Sequence, residues 1–544
     1  MKDFTCVRLP KLTCEFMAVR NIQSIYQYFE SAHGQLTSFI RHIAIKDNYL
    51  HNILWPQMWL MEVNIMKYIP TIGLEIHAEL STKSKIFCDC PVSFGGEPNT
   101  RCCPVCTGLP GTLPVLNKTA VEYTVKAGLA LNCEINEFSK LDRKNYFYPD
   151  LPKAYQISQF DLPICKNGGI TINTPEGKKF IRIERIHLEE DAGKLLHDSY
   201  DNYSLADYNR CGVPLIEIVT KPDLSSSEEA REFVEKVRLM LLYSGVSDCR
   251  MEEGSLRADV NVSIRPQGAE ELGTRTEMKN INSIRGIARS IDAEIERQSE
   301  LLDEGKKITQ ETRRWDDNKG ESKSMRSKED AHDYRYFPEP DVVPISFTKE
   351  EIEAFRKALP ELPDKRLAKY TGEFGLSEVD ANLLLTSVSL SDFFESAANE
   401  CGNPKAASNF ITVEVLRQLN DTGLSAEDIP FGGEVLGRLL KLVENGEITA
   451  ANAKKVLAEM FEGGKNPEDI IAEKGYKVIN DTGEVENTVK EILAGNEKAV
   501  AEYLAGKEKT FGFLMGQCSR ALAGRGNPKV VQEVLRSELN KLKG

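Results

Sequence analysis

At 544 residues, with 41% hydrophobic and 28% charged side chains, the chain has the balance of an ordinary soluble globular protein. It has room for about two to four separately cored domains. No apolar run approaches the ~18–20 residues of a membrane-spanning helix, and a net charge of -14 argues against a surface coated in phosphate contacts, although a local basic patch can still bind nucleic acid. Thirteen cysteines, an odd number without a clear secretory signal, fit reduced thiols in a cytoplasm better than a disulfide framework.

The first 65 residues differ from the rest: they hold two of the three tryptophans and three of the seven histidines, with scattered apolar residues. They contain neither a signal-peptide core nor an Arg-rich transit helix. Met66 leads directly into a patterned strand, so residues 1–65 are read as a non-native extension ahead of a true start at Met66; the alternative is a short helical appendage. Ile72, Leu74 and Ile76 then alternate with Glu75, His77 and Glu79, a strand with one apolar and one acid/His face. Cys88-Asp89-Cys90 followed by Cys103-Pro104-Val105-Cys106 spaces four thiolates for one structural Zn²⁺. Cys102 competes with Cys103 as the third ligand. Unliganded thiols or a redox pair are the other readings.

Lys118 to Leu131 has helical spacing. Leu141 to Asp150 packs Arg143, Lys144, an amide and three aromatics into ten residues: either a phosphate and base contact or an ordinary loop. Between Arg185 and Lys194 alternation gives way to Glu189-Glu190-Asp191, and the phase slips near Arg185, which predicts a bulge that re-aims side chains. Three adjacent acids demand a compensating cation, unless they form a solvated loop. Ser225-Ser226-Ser227-Glu228 opens a helix running to Leu242. Asp259 and Asn261 share the polar face of a strand over Leu256–Arg265, and Glu277 and Lys279 share one over Thr274–Lys279. Residues i and i+2 on a strand lie about 6.5–7 Å apart on one side, so these segments form either a solvated sheet face or a floor of hard ligands for a Mg-nucleotide site.

Asp333 to Pro340 is a Pro-stiffened aromatic loop. From Thr348 to about Gly475 the pattern becomes helical, and a further helical unit follows. From Phe511 to Gly544 there are six Lys/Arg against two Asp/Glu, which describes either a solvated surface or an RNA-contact module. The mixture of sheet segments and helices without βαβ alternation predicts an α+β first domain. No P-loop, kinase signature or dinucleotide fingerprint is present. No Ser-rich amidase segment or Cys-His pair is evident either, so any ammonia used must be released by another polypeptide.

These strings, taken in order, closely resemble the B subunits of bacterial and organellar aspartyl/glutamyl-tRNA amidotransferases. The carrying stretches are Ile72–His77, Leu141–Asp161, His187–Lys194, Pro214–Val219, Met251–Asp259 and Asp333–Pro340, and the likeness runs from about Met66 to the C-terminus. The resemblance implies a mixed-sheet, cradle-like catalytic domain (66–350), an all-helical domain (351–474) and a helical tail domain (475–544) contacting tRNA. It implies an ATP-dependent carbon–nitrogen ligase with glutamine as amido donor. ATP phosphorylates the side-chain carboxylate of mischarged Glu-tRNA(Gln) or Asp-tRNA(Asn), and ammonia attacks the acyl phosphate. By similarity His77, Glu190 and Glu277 are Mg²⁺ ligands, Glu75 and Asp259 complete the acidic wall or hold a second metal, and Arg143 and Lys144 neutralise nucleotide phosphates. The implied partners are an amidase (glutaminase) and a small third polypeptide in a cytoplasmic heterotrimer, with no membrane. A non-catalytic zinc-bearing tRNA adaptor and a self-contained amidotransferase are the rival readings.

Overall fold

The computed structural model describes residues 67–197, 203–327, 333–478, 482–522 and 525–542; the expectation for residues 1–65 lies outside them. The strands in chain order are β1 (Tyr68–Glu79), β2 (Glu134–Ile135), β3 (Phe138–Ser139), β4 (Asp142–Asn145), β5 (Tyr155–Ser158), β6 (Cys165–Thr174), β7 (Gly177–Glu190) and β8 (Lys194–His197). They continue with β9 (Ser204–Asp207), β10 (Pro214–Thr220), β11 (Leu256–Pro266), β12 (Thr276–Lys279), β13 (Glu311–Asp316), β14 (Glu321–Ser327), β15 (Phe337–Pro338) and β16 (Ile345–Ser346). One nine-stranded sheet has the order β14-β13-β12-β11-β1-β10-β7-β6-β2, with β1 at its centre. It is mixed: β12 and β13 run parallel, whereas β10 is antiparallel to both β1 and β7. Residues Lys67–Ile69 and Pro266–Ala269 form a small unit of their own, in which the Gln267 amide donates to the Lys67 carbonyl (3.2 Å).

Alternation decides which face of this sheet is dry. Ile72, Leu74, Ile76 and Ala78 of β1 are at most 1% exposed. They share one core with α1 (Lys118–Ala130), α2 (Ser227–Tyr243) and α3 (Ile284–Asp303), through residues such as Val125, Phe233, Val237 and Ile287. Each helix is capped by a side chain that accepts a free first-turn amide: Asn117, Ser226 and Ser283. In α2 the cap is Ser226, and Glu229 reaches back to the Ser225 amide (2.7 Å).

The anticipated bulge is present. Arg185 pairs with Val219 while Ile183 pairs with Thr220, leaving Glu184 as the extra residue. Ile181 and Ile183 before it, and Ile186 and Leu188 after it, are all buried in the core. The slip therefore puts His187 and Glu189 on the polar face. A second, three-stranded sheet, β15-β4-β5, packs against β7.

From Lys349 onward the described chain is helical, beginning with a Thr348–Glu351 capping box. A second core gathers Tyr370, Phe394, Ile411, Leu436, Leu439, Val456 and Leu457. It meets the first at Tyr243, the last residue of α2. The Tyr243 hydroxyl lies 2.9 Å from Ser391 Oγ and 3.2 Å from the Leu385 and Ser387 carbonyl oxygens. A third core is built from Val485, Val489, Leu514, Cys518, Val531, Leu535 and Leu539.

The contact between α1 and β6 is closed by the absence of a side chain. A Cβ on Gly128 would lie 2.4 Å from Cys165 Sγ and 3.1 Å from Ile135 Cδ1. Gly128→Ala is expected to cost about 1–3 kcal/mol by overpacking, and Cys165→Ala in the same chain should recover part of that loss. A double-mutant cycle by denaturant melting reads the coupling; strict additivity would show that the glycine is not there for this contact.

Candidate active site on the polar face of the sheet

Three strands bring the acid/His floor together. His77 of β1 lies opposite Glu217 of β10, and Glu217 lies opposite His187 of β7. Glu189, two residues further on β7, joins them. His77 Nε2 is 3.3 Å from Glu217 Oε2 and 3.8 Å from Glu189 Oε1, and His187 Nε2 is 3.5 Å from a carboxylate oxygen of each acid. Ser158 Oγ on β5 donates to Glu189 (3.1 Å). One ligand atom each from His77, Glu189 and Glu217 can be chosen so that all lie within 4.8 Å of one another. Burial alone would raise both carboxyls, but His187, His77 and Lys144 hold Glu217 low, and His187 with Lys144 holds Glu189 low. Burial would lower His77, yet its bond to Glu217 raises it. An imidazole and two ionised carboxylates suit a divalent cation, with positions left for water or phosphate oxygens, so the donor set fits Mg²⁺.

Beside this triad stands a second one. Glu75, Asp259 and Glu277 also offer ligand atoms within 4.8 Å of each other. Lys279 Nζ sits among them, bonded to Asp259 and 3.0 Å from Glu277, while Asn261 donates to Glu75 (3.0 Å) and Thr312 to Glu277 (2.8 Å).

Three placements differ from the expectations. His77, Glu190 and Glu277 do not converge. Neighbouring residues on a strand turn to opposite sides, and Glu190 leaves the floor that Glu189 joins. Its carboxylate accepts from Lys153 Nζ (2.5 and 2.6 Å) and from the Ile157 amide (2.9 Å), in a cavity of about 220 Å³ that also touches Phe87 and Cys106. Glu277 belongs to the second triad, with β11 between its strand and β1. Arg143 is likewise committed elsewhere: its guanidinium grips the buried Glu339 at 2.7 and 2.8 Å and Asp341 at 3.2 Å. Lys144, one residue on, turns towards the floor. Burial would lower its pKa, but Glu189, Tyr336 and Glu217 raise it. Its ammonium lies 5.1 Å from the Tyr334 ring centre, and Tyr336 stacks on Phe160 at 4.4 Å. Glu217 and Glu189 were the residues that sequence reasoning missed. Each carried a signal: a lone acid in the apolar run Pro-Leu-Ile-Glu-Ile-Val, and strict i+2 spacing from His187.

The cysteine cluster gathers four of the five candidate thiols. Cys88, Cys90, Cys103 and Cys106 bring their sulfurs within 4.8 Å, while the Cys102 thiol donates to the Asn99 carbonyl (3.2 Å). Four sulfurs in this arrangement match a closed tetrahedral zinc site. A hydrogen bond from Cys88 pulls the Cys106 thiol down to about 4 and drives Cys88 up, as expected where thiols crowd together.

At the end of β1, burial pushes Glu79 up to about 8, helped by the Asp191 carboxylate, which Arg257 holds at 2.8 Å. Folding thus takes up a proton at Glu79. A raised carboxyl favours the folded state less as pH climbs from its unfolded value, about 4.3, towards 8. The stability of the chain should decline across that window, and Glu79→Gln should flatten the decline. Thermal melts from pH 5 to 8.5 check this; an unchanged slope in the variant would refute it.

Comparison with known proteins follows the same strands. The model of the GatB/GatE catalytic domain matches residues 70–353, and that of the GatB domain matches residues 392–539. The B subunit of the aspartyl/glutamyl-tRNA(Asn/Gln) amidotransferase of Ruminiclostridium cellulolyticum is 81% identical over 478 residues, covering 88% of this chain and 99% of its own. The protein of the same name from Caldicellulosiruptor saccharolyticus is 57% identical over 480 residues, covering 88% and 100%. That from Carboxydothermus hydrogenoformans is 52% identical over 479 residues, covering 88% and 100%.

Proposed function

This chain belongs to the B-subunit family of aspartyl/glutamyl-tRNA amidotransferases, and from that premise we propose that the polar face of its sheet activates the side-chain carboxylate of mischarged Glu-tRNA(Gln) or Asp-tRNA(Asn) for amidation. The observation that carries the reading is the meeting of His77, Glu189 and Glu217 beside the Lys144 ammonium. Ammonia does not displace an oxygen from a carboxylate at a useful rate. The γ-phosphoryl group of ATP therefore passes to the carboxylate with loss of ADP, and ammonia then attacks the acyl carbon and expels phosphate. Mg²⁺ supplies neutralisation of the phosphate oxygens during transfer.

The chain's own residues prepare that event. His77, Glu189 and Glu217 are the residues to hold the cation, and His187 and Ser158 orient the two acids. Lys144 faces incoming negative charge from the floor's edge. Arg143 acts through Glu339, fixing β4 against β15 so that Lys144 keeps its direction. Glu75, Asp259 and Glu277, with Lys279 among them, form the adjoining acidic wall. The cysteine cluster holds structural zinc. The domain division at about 350 and 474, with the basic tail as a tRNA contact, belongs to the same proposal. So do an amidase partner that releases ammonia from glutamine, a small third polypeptide and a cytoplasmic location. Among the described residues no helix is long and apolar enough to cross a membrane.

Glu189→Gln and Glu217→Gln should each lower ATP-dependent phosphorylation of Glu-tRNA by about two orders of magnitude or more, since a lost ligand misplaces the metal. Glu190→Gln should leave that step measurable. ADP release driven by mischarged tRNA is the readout, and wild-type rates in the first two variants would sink the assignment.

The tail makes a separate prediction. Each lost phosphate contact removes counterion release. Truncation after Gly475 should raise the KM for mischarged tRNA and make the salt dependence of binding shallower, while ammonia release by the partner persists. Equal affinities of full-length and truncated complexes at two salt concentrations would place recognition elsewhere.

A further inference from the structure

Lys85 is fully buried, yet among the described residues no carboxylate lies within ion-pair distance of it. Its Nζ has two partners, Cys106 Sγ at 3.6 Å and the Tyr208 carbonyl at 3.4 Å. An ammonium taken out of water without an anion is strongly unfavourable, and of these two partners only the Cys106 sulfur, as a thiolate, can supply one. Four thiolates on one Zn²⁺ carry two net negative charges. We propose that Lys85 is the counter-ion of the zinc-loaded cysteine cluster and the positioning residue that ties metal occupancy to the loop leading into β10. This rests on the structural-zinc reading above.

The loop in question, residues 207–213, has no regular structure of its own over most of its length and is held from the cluster's side. The Asn99 amide donates to Asp207 (3.0 Å), the Arg101 amide to Asn209 Oδ1 (2.8 Å), and Asn209 Nδ2 to the Glu97 carbonyl (2.7 Å). Cys211 Sγ donates to the Cys106 carbonyl (3.3 Å). The Ile86 amide, next to Lys85, donates to the Gly212 carbonyl (2.9 Å), and the Lys85 amide to the Cys90 carbonyl (2.9 Å). Gly212 has φ +82, and a Cβ on it would lie 3.5 Å from Cys106 Cβ and 3.7 Å from Lys85 Cδ, so cluster, lysine and loop are in van der Waals register. Pro214 then opens the strand that carries Glu217. Lys85 thus joins the charge of the cluster to the backbone that sets where that strand begins.

The test uses the zinc-loaded full-length chain. Zinc transfer to excess chelator is timed for wild type, Lys85→Met and Lys85→Arg, and amide hydrogen exchange is followed over 207–213 before and after zinc removal. Lys85→Met should release zinc about ten- to a hundredfold faster, the range for loss of a partner outside the coordination sphere. Lys85→Arg, which keeps the charge, should restore most of the difference. Exchange over 207–213 should accelerate when zinc is stripped from wild type and already be fast in zinc-loaded Lys85→Met. Equal release rates for Met and wild type, an Arg variant no better than Met, or a loop indifferent to zinc would each overturn the proposal. If Lys85→Met does not fold, the Arg variant and the stripping of wild type decide alone: release within about threefold of wild type by Arg, with a loop that loosens on stripping, supports it. Wild type purified without zinc would overturn the zinc reading and this inference together, whereas zinc-bearing wild type with an unaltered Lys85→Met overturns only the latter.

Discussion

Two carboxylates, Glu189 and Glu217, are removed from water side by side at the centre of the large sheet, and their surroundings answer to the free energy of doing so. Like charges this close tolerate one another only if positive groups stand among them. Here the compensating groups come from every side: the imidazoles of His77 on β1 and His187 on β7 and the ammonium of Lys144 on β4. Because metal ligands bind in their deprotonated form, a cation held here would take the place of positive charge on the imidazole of His77. The second triad shows the other solution, with Lys279 occupying the position between Asp259 and Glu277.

The same constraint explains what could and could not be read from the residues in order. Period-two alternation in Ile72–Glu79, Leu256–Arg265 and Thr274–Lys279 marked strands with a polar face, because alternation is a local consequence of the pleat. The bulge near Arg185, the serine cluster that opens α2 and the four-cysteine spacing were local too. Which acids converge was not. That depends on the register of three strands drawn from positions 68 to 220, and on a bulge whose one-residue slip decides between Glu189 and Glu190. Glu217 was hidden inside an apolar run. Arg143 looked like a phosphate ligand because its partners Glu339 and Asp341 are nearly two hundred residues away.

The cysteine cluster is legible for the opposite reason. Its four thiols fall within nineteen residues, so spacing alone nearly brings them together, and only the gathering of Cys103 rather than Cys102 needed coordinates. What spacing does not reveal is Lys85, whose side chain becomes informative only once its burial is known.

The grip of Arg143 on Glu339, with β15 laid against β4, spans 196 residues of sequence. It follows that the floor is completed late in the life of the nascent chain. At about 5–20 residues per second, some 10–40 s separate the emergence of β4 from that of the segment that covers its edge and brings Tyr334 and Tyr336 to Lys144. Until then the edge of β4 that β15 covers has no partner strand, and an open edge is a template for pairing with another chain. The site's aromatic cover is thus the part of it that depends on the most distant stretch of sequence.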